Sequence, residues 1–298
     1  MDSKKRLLFF DVARITAISG ILLLHYCHFY DMPFNNGTPG TIWILNTGKA
    51  GNILFIIISG AMLEYTHSAI TNKKDLLAFY YNRFIRIVPA YWMSLIIGVL
   101  LFPNLITYSV SGIFEQLTAS TVYINSYSPA LNPPAYFIVI IVVLALLFPF
   151  IRKPVNTYPG ITLFILLIIS IISWTFVEIL PNLQTPPTMV STAPFAMNLA
   201  FPAYAFFFAL GIWIMQTGRY PLTENKNILI IFLSELSFYL YLTHYMFLEV
   251  PGINANILLL LLITFFTSCI LMVLDKKIHT FLKNIAPWRD YNHADKER

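Results

Sequence analysis

The chain has 298 residues, of which 57% are hydrophobic and 11% charged, with a mean hydropathy of +0.69 and a formal net charge of +5. A water-soluble domain carries about 25% charged residues, so one core in water is excluded and lipid must solvate much of the surface. The basic residues stand in short groups between apolar runs, which excludes a nucleic-acid binder; Cys27 and Cys269 form no CxxC or zinc-spaced pattern, which excludes a disulfide framework or structural metal.

In chain order, apolar stretches run over 7–30, 42–63, 84–103, 134–151, 160–180, 196–216, 228–248 and 253–274. Each is near the ~20 residues that cross a bilayer. The first follows Lys4, Lys5 and Arg6, but it is too long for a signal peptide, contains Asp11 and Arg14, and lacks a small-residue cleavage site. It is expected to be a retained first helix. Of the 19 Lys and Arg, all but Arg14 and Lys49 fall before the first span, after the last, or in alternate loops, counting Arg86 at the head of span three with the loop before it. The positive-inside rule makes that side cytoplasmic, and an even number of crossings returns both termini there. The expected fold is an all-α, polytopic integral membrane bundle of about 8 (8–10) transmembrane helices. Residues 1–283 form one transmembrane domain and 284–298 a short cytoplasmic tail. Segment 104–133, the longest outer loop, is expected to hold a short interfacial or re-entrant piece.

A charge at the bilayer centre costs at least ~2.5 kcal/mol, so ionisable residues inside spans are functional candidates. Span one holds Asp11, Arg14, His25 and His28. Arg14 and His25 are eleven residues apart, close to three full turns at about 100° per residue, so they share one face. They lie roughly 16 Å apart along the axis, Arg14 about 10 Å and His25 about 27 Å from the cytoplasmic end. Span two brings Ser59-Gly60 near its inner end, where a small residue admits another backbone or a ligand. Arg83 and Arg86 share a face at the inner start of span three and suit bidentate phosphate binding. His244 and Glu249 close span seven at about the depth of His25. Two layers result: an inner one built for anions and an outer one built for proton transfer. Structural readings stand beside these. Arg14 snorkels or pairs with Asp11, His25 and His28 join an aromatic belt with Tyr26, Phe29 and Tyr30, and Arg83 and Arg86 form an ordinary positive-inside flank. A metal site at His25, His28 and His244 has the spacing but no supporting carboxylate motif.

The same residues carry a family resemblance. Asp11 and Arg14, followed after ten further residues by His25, resemble the first-helix motif of the membrane acyltransferase family 3. The apolar run 51–63 with Ser59-Gly60 is similar to that family's Ser-Gly run. Arg83-Phe84-Ile85-Arg86-Ile87-Val88-Pro89-Ala90-Tyr91 resembles its Arg-x-x-Arg-Ile-x-Pro-x-Tyr segment, and Ser237 to His244 resembles its Ser-Tyr-x-x-Tyr-Leu-x-His segment. The match spans residue 6 to about 280.

The resemblance implies an acyl-CoA-dependent O-acyltransferase of the cell membrane. Such an enzyme moves an acetyl or similar group from cytoplasmic acyl-CoA to a hydroxyl of an extracytoplasmic sugar, polysaccharide or glycolipid. On this reading His25 is the general base, with Arg14 and Asp11 completing the catalytic set. Arg83, Arg86, Ser59 and Gly60 bind acyl-CoA, and His244, His28 and Glu249 lie on the acceptor side. No metal and no permanently bound cofactor is expected; acyl-CoA, with acetyl-CoA foremost, is a co-substrate. The expected partners are acyl-CoA, a carbohydrate or glycolipid acceptor, membrane lipid and, as an option, a second copy of the chain. A transporter or flippase of a glycan or lipid-linked intermediate is the alternative, because buried Arg and His also mark transport pathways.

Overall fold

A computed structural model describes residues 5–29, 39–66, 70, 72–101, 110–118, 136–183, 200–218, 223–250, 252–253 and 256–285. Among these residues the helices are α1 Leu8–Phe29, α2 Pro39–Thr66, α3 Lys73–Leu101, α4 Val110–Leu117, α5 Tyr136–Thr157, α6 Pro159–Leu183, α7 Ala200–Thr217, α8 Ile228–Thr243 and α9 Ile257–Asn284, with a 3-10 turn at Met246–Glu249. The described residues form no β-strand; Leu7 and Glu224 make an isolated antiparallel bridge. Each expected span coincides with a helix, and α4 falls inside the long loop between spans three and four. The chain is therefore an all-helical membrane bundle.

Among the described residues, four stretches are long and apolar enough to cross a bilayer: Leu8–Cys27, Lys73–Leu101, Phe137–Thr157 and Ile257–Asn284. Pro159–Thr175, Phe201–Thr217 and Ile228–Thr243 are shorter apolar helices. Their outer faces display side chains that water would not tolerate, such as Ile228 at 82%, Phe150 at 68% and Leu258 at 65% exposed. Lipid is their natural solvent.

α3 and α9 overrun the apolar spans that define them by the most. α3 starts at Lys73 rather than near residue 84 because a polar first turn caps itself. The Asn72 side chain accepts from the Asp75 amide (2.9 Å), and the Asp75 carboxylate accepts from the Asn72 amide (3.3 Å). Such reciprocal capping satisfies orphan donors and lets a helix begin in water. α9 likewise runs past residue 274 to Asn284 through its Lys276-Lys277 turn.

α1 packs between α2 and α8; α2 reaches α7, which lies on α6 and α5; α8 meets α9, α9 meets α3, and α3 closes on α5. The α2–α7 crossing is a backbone contact. A Cβ at Gly60 would fall 2.1 Å from the Phe208 carbonyl oxygen, and one at Gly211 would fall 2.0 Å from the Ile57 carbonyl oxygen. Small residues let membrane helices approach this closely, where dispersion replaces the hydrophobic effect as the cohesive force.

The long loop after α3 holds the short helix α4, which hydrogen-bonds to side chains of α3. Tyr91 Oη donates to the Gln116 carbonyl (2.5 Å) and Trp92 Nε1 to the Leu117 carbonyl (3.0 Å). These are among the last carbonyls of α4, which no residue of that helix can satisfy, and in lipid they need donors. Tyr91 lies ten residues before the end of α3 at Leu101, roughly 15 Å along its axis. The C-terminal end of α4 is thus held well below the rim of the bundle.

Candidate active site

The inner layer is assembled from α1 and α3. Arg14, Arg83 and Arg86 are close enough for their guanidinium charges to repel one another. Arg83 lies over the Phe79 ring, its Cζ 5.9 Å from the centroid, and its buried Nε has no hydrogen-bond acceptor among the described residues. Arg14 reaches Asp11 only at 3.5 Å. Three guanidiniums gathered in one partly buried place, one with an unused donor, form a site that favours an anion with several oxygens.

Asp11 is committed elsewhere. Its carboxylate is buried, accepts from Arg6 at 2.9 and 3.2 Å, from Ser234 Oγ at 2.6 Å and from Asn225 Nδ2 at 2.7 Å. Arg6 continues to Glu235 (2.5 Å), and Glu235 to Lys276 (2.6 Å). Burial works against the Arg6 cation, but its bonds to Asp11 and Glu235 together hold its pKa above the ordinary value. This network clamps the start of α1 to α8 and α9 and sets the rotation of α1. Asp11 orients the helix that carries Arg14 and His25.

The outer layer is assembled from α1 and the end of α8. The His25 and His244 rings lie 5.0 Å apart between centroids, tilted by 49°, and the Tyr245 ring stands edge-on to His25 at 5.4 Å. His244 has 0% exposure. Tyr26, next to His25, bonds Thr264 of α9 at 3.4 Å, and Thr243 bonds Ser268 of α9 at 2.7 Å. The stripe of α1 that bears Arg14 and His25 therefore faces protein. Towards its inner end Arg14 is within reach of the charges of Arg83 and Arg86, and at its outer end His25 meets His244.

The remaining expected residues divide. Gly60 faces the α7 backbone, so of the two uses open to a small residue there it serves helix packing. Ser59 beside it is half-buried. The side chains of His28 and Glu249 lie outside the described residues. Several polar groups join the layers without having been anticipated. Ser234 and Glu235 are polar residues within an apolar span, a signal open to sequence reading, and Asp275 stands just past the end of another, whereas Asn225 sits in a loop whose return to α1 is a tertiary event. Asp275 is buried, accepts from Tyr239 Oη at 2.7 Å, leaves its Oδ1 without a partner among the described residues, and feels the charge of Arg86. Glu64 of α2 and Arg152 of α5 form a two-point ion pair at 2.7 and 3.2 Å that ties the inner ends of those helices together.

The described residues thus place a group of arginines towards one end of a helical membrane bundle and a histidine pair towards the other. A family model described as an acyltransferase domain matches residues 7–225. The chain belongs to acyltransferase family 3 and is a membrane acyltransferase. The matched region contains Arg14, His25, Arg83 and Arg86 and stops short of α8 and His244. No curated protein and no solved structure matches the chain.

Proposed function

We propose that the chain takes an acyl group, acetyl or a similar short one, from cytoplasmic acyl-CoA and transfers it to a hydroxyl of a sugar, polysaccharide or glycolipid on the far side of the plasma membrane. The observation that carries this reading is the single protein-facing stripe of α1. It brings Arg14 to the Arg83–Arg86 cluster and, roughly 16 Å further along, His25 to His244. In this reading residues 1–283 form the transmembrane catalytic domain of eight crossings, with both termini and the tail 284–298 in the cytoplasm.

Arg83 and Arg86 hold phosphate oxygens of the donor, and its pantetheine arm runs along α1 towards His25. A sugar hydroxyl is a poor nucleophile at neutral pH, and a positioned base contributes about 10²–10⁴ in rate. His25 takes the hydroxyl proton as the oxygen attacks the thioester carbonyl, and the thiolate leaves. Arg14, the innermost cation on the stripe, stabilises negative charge on the donor side. Asp11 contributes through the clamp that fixes the rotation of α1.

The test is consumption of acetyl-CoA by the protein purified in detergent, supplied with a panel of methyl glycosides. Acceptor-dependent release of CoA with formation of the acetylated glycoside is the expected result. Consumption that needs sealed vesicles and a gradient, or none at all in detergent, would favour the transporter and reject the enzyme.

A further inference from the structure

His244 ends α8 with its two ring nitrogens in opposite situations. Nδ1 lies 2.8 Å from the Tyr241 carbonyl oxygen and 3.2 Å from that of Leu240. Carbonyl oxygens only accept, so Nδ1 carries the hydrogen. The neutral ring then has its lone pair at Nε2. That atom is buried and without a hydrogen-bond partner among the described residues, although buried polar atoms are nearly always paired. An acceptor fixed in orientation, desolvated and unused is suited to a bond made only during the reaction. Beside the His244 ring stands the imidazole of His25, at 5.0 Å between centroids and tilted by 49°. Nitrogens on two ring edges at that separation come within the roughly 3 Å of an N–H···N bond once the His25 ring turns about its broad terminal torsion. Catalytic hydrogen bonds commonly tighten in this way when reactants bind.

We propose that His244 is the positioning residue for His25. Its Nε2 accepts from one N–H of His25, which fixes the His25 tautomer so that the other nitrogen presents its lone pair to the acceptor hydroxyl. The hydrogen bond at one imidazole nitrogen sets the role of the other. This inference rests on the proposed role of His25 as base. In the step it serves, the hydroxyl O–H bond breaks and its proton goes to His25 as the oxygen–carbon bond forms. The carbon–sulfur bond then breaks, and the imidazolium, still donating to His244, returns that proton to the CoA sulfur. His244 gains and loses no proton. It acts only through His25.

The geometry also defines a merely structural role, since Nδ1 caps the carbonyls at the end of α8. Two variants separate the roles. His244→Asn keeps a donor near the position of Nδ1 and removes the atom at Nε2; His244→Gln restores a polar atom near Nε2. The expected result is that Asn keeps the thermal midpoint in detergent, leaves KM for acetyl-CoA unchanged and lowers kcat at least ~10²-fold, with Gln recovering tenfold or more over Asn. Wild-type kcat in the Asn variant, or Gln no better than Asn, would overturn the proposal. A second measurement needs no variant to fold. ¹⁵N-histidine spectra of the wild-type protein should show His244 as the Nδ1–H tautomer, and an Nε2–H tautomer would overturn it equally. An inactive wild-type protein rejects the acyl-CoA reading itself, whereas an active wild type with an equally active Asn variant rejects only the role of His244.

Discussion

At the residue scale, the weight falls on side chains that serve no structural purpose where they stand. Asp11 has four tight bonds to occupy it, and Glu64 and Arg152 neutralise each other. Arg83 buries an Nε with no acceptor among the described residues, beside two like charges, an arrangement that disfavours the empty protein unless an anion compensates it. Replacing Arg83 by Ala should therefore raise KM for acyl-CoA tenfold or more, by the ~1.5–3 kcal/mol of a lost charge-assisted bond, and raise KM for the acceptor much less; the opposite order would take Arg83 out of the donor site. His25→Ala should lower kcat by about 10²–10⁴, and Lys49→Ala, whose ammonium lies over Trp174 at 6.0 Å, should retain wild-type rates in the same assay. The shared face of Arg14 and His25 was legible because helical periodicity is a local property. The meeting of His25 with His244, 219 positions further on, depends on how α1 and α8 pack, and no spacing within either helix reveals it.

At the scale of elements, two joints decide where the site residues end up. The first is the Asp11 clamp. Asp11→Ala would leave Arg6 short of its counter-ion and the donors of Asn225 and Ser234 unanswered, a loss of about 3 kcal/mol by the cost of breaking a buried pair. The detergent thermal midpoint should fall accordingly, and kcat should fall with it because α1 loses the contact that sets its rotation. Ser234 and Asn225 show why this joint was only partly visible in the sequence. Asp11 was recognisable as a costly residue in an apolar helix, but its partners come from a loop and a helix more than 200 positions away. The second joint is the α2–α7 crossing, where the Gly60 and Gly211 contacts leave no room for a methyl group. Gly60→Val should separate the helices and lower the thermal midpoint markedly, while Gly160→Ala, where a Cβ meets nothing within 4 Å, should leave it unchanged. Equal midpoints would mean that the crossing relaxes without cost.

At the scale of the whole molecule, hydropathy alone placed every long helix, because a bilayer imposes its thickness on the sequence as a run of apolar residues. It missed the extra turns of α3 and α9, where capping and lysines continue a helix into water after the apolar run has ended. The depth of α4 was also hidden, since that comes from two side chains of α3 answering its last carbonyls. The charge distribution predicts sidedness. Fusion reporters placed after Lys153 or after Asn284 should report cytoplasm, and one placed after Thr118 should report the exterior; any reversal would overturn the orientation and with it the direction of transfer.

The most direct test of the account uses sealed vesicles of known orientation containing the wild-type protein, with labelled acetyl-CoA supplied to one face and a membrane-impermeant glycoside to the other. The account predicts that label reaches the glycoside only when acetyl-CoA is on the face of Arg83 and Arg86. Label transfer from donor supplied only on the His25 face, or at equal rate from both faces, would contradict it.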